Sequence, residues 1–235
     1  LGHTLVAPGE KADGIWFLLS GGLRSLGRLN PTSGPPRTLE KLQAGDIAGW
    51  ISLLYDLPLE HLRVSSDLEA LFLPAEAARE CFLEEPALQQ WCARQLPGAE
   101  LLRLLQQLSP DQPSAATSLT NWADTFSNAQ LWASADRKPS AGDLEAGRLW
   151  FRSQPPAPPE RIDPAQPELP EPSGPLGIRL IGLAPSEQKP SSAITPTSTP
   201  QLLAPPPHPS ATDREAPLTA AVPVILDQPN QGRSH

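Results

Sequence analysis

Four histidines, two cysteines and one adjacent pair of carboxylates are the residues of this sequence whose types invite a chemical reading. His3, His61, His208 and His235 are the only imidazoles. A metal centre needs such ligands clustered at close spacing. No His-x-His pair occurs, and His208 and His235 sit in the proline-rich end of the chain. A cupin-like metal enzyme is therefore the remote alternative, and no metal site is expected. Glu84 and Glu85 are consecutive, and neighbours on a helix do not face each other, so they read as a solvated surface. Cys81 and Cys92 lie among apolar residues in helix-like segments. Two cysteines do not make a secreted disulfide framework. Free thiols there behave as small hydrophobes, which suits a reducing cytoplasm. Neither a Gly-x-Ser-x-Gly elbow nor a Gly-x4-Gly-Lys-Ser/Thr phosphate loop is present. The expected protein is not an enzyme.

The elements that would hold any site come in two unequal parts. Of the 31 prolines, eight precede Pro110 and 23 follow from there on. The front half can build a core, whereas the back half is too proline-rich to offset the entropy of ordering. Short apolar runs occur at residues 3–6, Gly14 to Ser20, Leu23 to Leu29, Leu39 to Leu42, His61 to Val64 and Leu68 to Leu73. Gly21-Gly22, the Asn30–Arg37 loop and Gly45-Asp46 punctuate them. Close spacing with Gly/Pro breaks predicts an all-β roll or barrel. Helices are expected over Ala75–Glu84, from Pro86 along a face of Leu88, Trp91, Cys92 and Leu96, and along the stripe Leu101, Leu104, Leu105 and Leu108. That stripe packs back on the roll or meets a partner.

The residues Gly2-His-Thr-Leu, Gly9, Ala12-Asp-Gly-Ile-Trp-Phe-Leu-Leu-Ser-Gly21 and Leu23-Arg24 come first. Leu42, Gly45-Asp46, Gly49, Ser52-Leu-Leu54 and Pro58 follow, then Leu68-Glu-Ala-Leu-Phe-Leu-Pro74. In this order and spacing they resemble the cyclic nucleotide-binding domain of cAMP-receptor-protein type over residues 1–96. The resemblance implies a mainly β fold, a jelly-roll-like double-stranded β-helix with C-terminal helices. It also implies a phosphate-binding cassette in which backbone N–H groups at a short helix start meet a cyclic phosphate. In that family an arginine clamps the phosphate and a glutamate after the cassette glycine accepts from the ribose. Here Trp50 follows Gly49 and Leu59 follows Pro58, so both polar contacts are missing. Arg63 is four residues further on, roughly 13 Å along a strand. His61 is nearer but would be largely neutral at pH 7. Loss of such a clamp costs about a hundredfold or more in affinity. The expectation is a degenerate cassette with cyclic AMP or cyclic GMP binding lost. If a ligand site survives, Gly49, Trp50, Ile51, Ser52 and Leu59 line it, with Trp50 otherwise plugging the empty pocket. The alternative is a live small-ligand sensor.

Three segments are expected: a nucleotide-binding-like domain over 1–108, a weakly ordered tryptophan-containing segment over 109–153, and a Pro-rich linker or disordered tail over 154–235. The middle segment carries Trp122, Phe126, Trp132, Trp150 and Phe151 without a clear period. Leu176 to Leu183 is the only strand-like island in the tail. Gly147-Arg-Leu-Trp-Phe-Arg-Ser153 and Pro175-Leu-Gly-Ile-Arg-Leu-Ile-Gly-Leu183 are similar to the linker of bacterial peptidase-containing ABC exporters. That similarity implies a regulatory module ahead of a transporter domain, at the cytoplasmic face of the inner membrane. The partner would be a protein or that following domain. A net charge of −8 argues against nucleic acid, and no apolar run is long enough to span a bilayer. The chain has no methionine and starts at Leu1, so a fragment with more sequence upstream is expected.

Overall fold

The computed structural model describes residues 2–30, 32–140, 142–167, 169 and 175–185. The chain divides into Leu1–Lys189 and Pro190–His235. The second unit lies outside the described residues, as do His208, His235 and the final part of the expected disordered tail.

The front of the chain is mainly β, as expected. Strands β1 (Thr4–Val6), β2 (Gly14–Ser20), β3 (Gly22–Gly27), β4 (Arg37–Gln43) and β5 (Ile47–Ala48) lead into helix α1 (Trp50–Tyr55). Strands β6 (Leu62–Val64) and β7 (Glu69–Pro74) follow. They form two antiparallel sheets, ordered β1-β6-β3-β4 and β5-β2-β7. Alternation along β2 and β3 turns Leu18 and Leu23 inward, where they meet Val6, Ala48 and Leu62. Gly21 makes the turn between β2 and β3 with φ +78, and a Cβ there would lie 1.7 Å from the Asp67 carbonyl oxygen. Only glycine satisfies both constraints.

Next come α2 (Ala75–Glu84), α3 (Pro86–Arg94) and α4 (Gly98–Leu108). Pro86 opens α3 at a position where its missing N–H is no loss. Helix α4 starts just after Pro97, and its Gly98 N–H donates to Glu40 Oε1 of β4 at 2.9 Å. The helical stripe then buries Leu101, Leu104, Leu105 and Leu108. Their cover is supplied from within the chain: Leu119, Trp122, Phe151 and Ile181 belong to the same core. The stripe is thus an interior face and does not offer a partner surface.

Beyond residue 108 the structure differs from the expected weak order. Helices α5 (Pro113–Thr120) and α6 (Trp122–Asn128) form, and the Trp122 indole N–H donates to the Leu39 carbonyl of β4 at 2.9 Å. Strands β8 (Gln130–Ser134), β9 (Leu149–Arg152), β10 (Glu160–Ile162) and β11 (Ile178–Leu183) make an antiparallel sheet ordered β10-β9-β11-β8. Only β11 was expected. Every residue of β11 is buried. Ile178 and Leu180 face Trp150, Ile162 and Leu144, while Ile181 and Leu183 face the α4 core. The prolines at 155, 156, 158 and 159 fall between β9 and β10, where no ladder hydrogen bond is lost. The segments expected to form a linker, around residues 149–152 and 180–183, are paired strands, Leu180 opposite Arg152 and Leu183 opposite Leu149. Among the described residues, no helix is long and apolar enough to cross a membrane.

Candidate functional site

The cassette is set by its turns. The Gln43 N–H donates to Asp46 Oδ2 at 2.8 Å, and the Asp46 carbonyl accepts from the Leu18 N–H at 3.0 Å. Those contacts fasten the β4–β5 turn to β2. Gly49 then takes φ +87, and a Cβ there would meet the Gly14 carbonyl oxygen at 2.6 Å and the Trp16 ring at 2.8 Å. This left-handed residue lets the chain leave β5 directly into α1. Helix α1 ends at Asp56, also left-handed, whose region returns N–H groups to Leu53 and Ser52. Ile47 to Tyr55 is therefore a two-residue strand followed, after Gly49, by a helix.

At the start of α1 two of the N–H groups that would face an anion, those of Gly49 and Ser52, already have one. Glu60 is buried, its Oε1 accepting from the Gly49 N–H and its Oε2 from the Ser52 N–H, each at 3.1 Å. The Glu60 N–H in turn donates to the Ser52 hydroxyl at 3.0 Å. Burial pushes the Glu60 carboxyl up, while hydrogen bonds from Ser52 and Gly49 pull it back down. Glu60 was not anticipated from the sequence. The sequence places a glutamate directly after Leu59, but its inward turn depends on the left-handed residues Gly49 and Asp56.

The five residues expected around a ligand lie close together but do not line one cavity. Gly49 and Ser52 spend their N–H groups on Glu60. Ile51 is fully buried and Leu59 packs against the same core as Ile15, Ile47 and Phe82. Trp50 alone lines the residual cavity, about 40 Å³, with Glu40, Asp46, Glu60, Trp91 and Gln95 also on its wall. A drug-sized ligand pocket is on the order of 300 Å³ or more, so this space suits only a few waters. The Trp50 and Trp91 rings meet edge to face with centroids 6.2 Å apart. The polar wall is acidic. Burial, opposed by the Gly98 N–H and helped by Glu60 and Asp46, pushes the Glu40 carboxyl up to about 7. No arginine or lysine lines the cavity among the described residues. His61 lies outside it, its pKa lowered by burial and by Arg63. The Arg63 side chain instead donates to the Gly2 carbonyl at 2.9 Å.

A second buried polar centre adjoins the cassette. Arg179 of β11 pairs with Glu100 of α4, Nη2 to Oε2 at 2.6 Å and Nε to Oε1 at 3.0 Å, with both side chains fully buried. The Ser153 hydroxyl adds a third donor to Glu100 Oε1 at 2.7 Å. The same guanidinium donates to the carbonyls of Ala93 at 3.2 Å and Gln95 at 2.7 Å, at the end of α3. It also lies 5.9 Å from the Trp50 ring centre.

Residues 1–85 match the family model described as the cyclic nucleotide-binding domain. Similar solved structures include a cyclic nucleotide-binding-like protein from Brucella abortus, at 20% identity and TM-score 0.29 over 36% of this chain and 70% of that one. A CooA variant from Carboxydothermus hydrogenoformans is 20% identical, with TM-score 0.34 over 44% of each chain. A cyclic nucleotide-binding domain from Methylobacillus flagellatus is 24% identical, with TM-score 0.31 over 51% of this chain and 62% of that one. The match spans less than two thirds of the length of the last two. No curated protein matches the sequence.

Proposed function

We propose that residues 1–85, which match the model of the cyclic nucleotide-binding domain, form a non-catalytic regulatory or interaction module whose cassette is closed to the family's ligand by its own Glu60. The observation that carries this reading is the Glu60 carboxylate seated on the Gly49 and Ser52 N–H groups. An incoming phosphate would have to displace it and then face Glu40 and Asp46 as well. Like charges brought together without a cation cost several kcal/mol, on the order of those lost with a charged clamp. Trp50 and Leu59, where the family carries its glutamate and arginine, offer nothing to offset that.

The exporter context is part of the same proposal. The pairing of β9 with β11 makes the two linker-like segments one folded piece continuous with the module, which favours a rigid connection to whatever domain follows. Its site of action on this reading is cytoplasmic, with a protein partner or a covalently attached transporter domain.

Isothermal titration of the full chain with cyclic AMP and cyclic GMP tests the closed cassette. No binding is expected up to about 1 mM, and micromolar affinity for either nucleotide would overturn the reading in favour of a live sensor. A second arm uses engineered recovery. Trp50→Glu with Leu59→Arg is expected to remain silent while Glu60 stays in place, and adding Glu60→Ala is expected to bring measurable affinity.

A further inference from the structure

The Arg179 centre joins parts of the chain that have no covalent reason to act together. Arg179 is the second residue of an otherwise apolar strand, Ile178–Leu183. Its guanidinium reaches the first turn of α4 through Glu100 and the last carbonyls of α3 through Ala93 and Gln95. On a further side it faces Trp50, the first residue of α1. Its five N–H groups form a fixed planar fork, so contacts to three elements fix their mutual orientation as well as their distance. A buried ion pair is weak evidence for stability in itself, and its best-attested use is to specify one arrangement.

We propose that the C-terminal sheet is a strap on the cassette: Arg179 holds the α3–α4 elbow and Trp50 in one arrangement, so that releasing Arg179 loosens the elbow and α1 together. This holds whether or not the cassette takes a ligand, so it does not rest on the proposed function. A purely structural role for Arg179 differs in its consequence: removal would loosen the elbow and leave α1 as it was.

Amide hydrogen exchange on the full chain separates the two. In Arg179→Met and in the milder Glu100→Gln, exchange is expected to rise about tenfold over Ala93–Leu101 and at least about threefold over Ile51–Tyr55, with β11 amides still protected. Leu104→Ala, which opens the α4 core without touching Arg179, is the control and is expected to raise exchange in α4 alone. Unchanged exchange over Ile51–Tyr55 in both charge variants, or an equal rise there in Leu104→Ala, would overturn the proposal. Should Arg179→Met fail to fold, Glu100→Gln decides by the same criteria.

Discussion

Glu60 in the cassette and Glu100 at the elbow are both buried, yet they are satisfied in opposite ways. Glu60 receives only neutral donors, two backbone N–H groups eight and eleven residues away in sequence. Glu100 receives a full cation from a strand 79 residues downstream, plus a hydroxyl. The cassette is therefore a local solution that forms wherever the Gly49 turn forms. The elbow is a tertiary one that exists only when the C-terminal sheet docks. The difference also orders the two sites by cost. Withdrawing a neutral donor exposes one dipole, whereas withdrawing the cation leaves a buried charge alone.

The largest effect should accordingly come from Arg179→Met. Stranding Glu100 is expected to cost about 3–5 kcal/mol, read as a lowered urea midpoint. The double variant Glu100→Met with Arg179→Met should recover most of that loss, because a buried pair replaced by apolar side chains is often close to neutral. If the double variant is as unstable as the single one, the two carboxylates do not differ in the way described, and packing rather than charge governs the elbow.

The roll was legible in the sequence because its longer strands, β2, β3, β4 and β7, show a pattern and lie among glycine and proline turns. Gly14 to Ser20 before Gly21-Gly22 is the clearest case, and β2 and its turn follow it. The cassette backbone was legible too, through Gly45-Asp46, Gly49 and Pro58. Its content was not. In Leu59-Glu-His-Leu-Arg63 nothing local says that Glu60 turns inward to the Gly49 N–H; that depends on the left-handed turns at Gly49 and Asp56, which fold the segment back over the helix start. The C-terminal sheet was least legible. Strands of four and three residues, as in β9 and β10, are too short to show alternation, and the prolines between them read as a linker. One signal was available: a single arginine inside Ile178-Arg-Leu-Ile-Gly-Leu183 requires a buried partner if that strand is central.

A third carboxylate sharpens the comparison through pH. Glu40 caps α4 through Gly98 and shares the cavity wall with Glu60 and Asp46. Its folded value, raised to about 7 from 4.5, means the native state holds the proton more tightly than the unfolded chain between those limits. Stability should therefore fall as pH rises from about 4.5 to about 7, by at most about 3 kcal/mol for this group. Glu60 is shifted in the same direction and adds to the slope. Asp143 and Glu145, held low first by Arg137 and Arg148 respectively, act the other way and only in more acid solution. Urea midpoints at pH 5 and pH 8 measure the slope, and Glu40→Gln should flatten it. A midpoint that climbs across this range in the unaltered chain would show that neither carboxyl is destabilised by its burial.

Glu60→Gln should have a smaller effect. The amide keeps one acceptor oxygen for one of the two N–H groups and turns an NH2 towards the other. The expected loss is about 1–2 kcal/mol, the cost of one buried donor left without a partner, offset in part by removal of a buried charge. Thermal unfolding near pH 7 against the parent chain measures it. A loss as large as that of Arg179→Met would mean that the cassette, too, depends on a charge interaction and that its neutral donors are not sufficient.

The smallest effect is a change in thiol chemistry. Cys92 is buried beside the elbow, its carbonyl facing the Arg179 guanidinium at 3.4 Å. Burial pushes its thiol up to about 12, against a lowering influence of Arg179. Because the thiolate is the reactive form, Cys92 should resist a disulfide reagent at pH 8 while the half-exposed Cys81 is modified. Arg179→Met removes the influence that lowers the Cys92 value, so with the elbow closed Cys92 would become less reactive still. With the elbow loosened, access increases and modification is faster. The sign of the change in Cys92 labelling therefore reports which of the two occurs. Faster labelling matches an elbow held by the distant cation, and slower labelling an elbow that keeps its shape through packing alone.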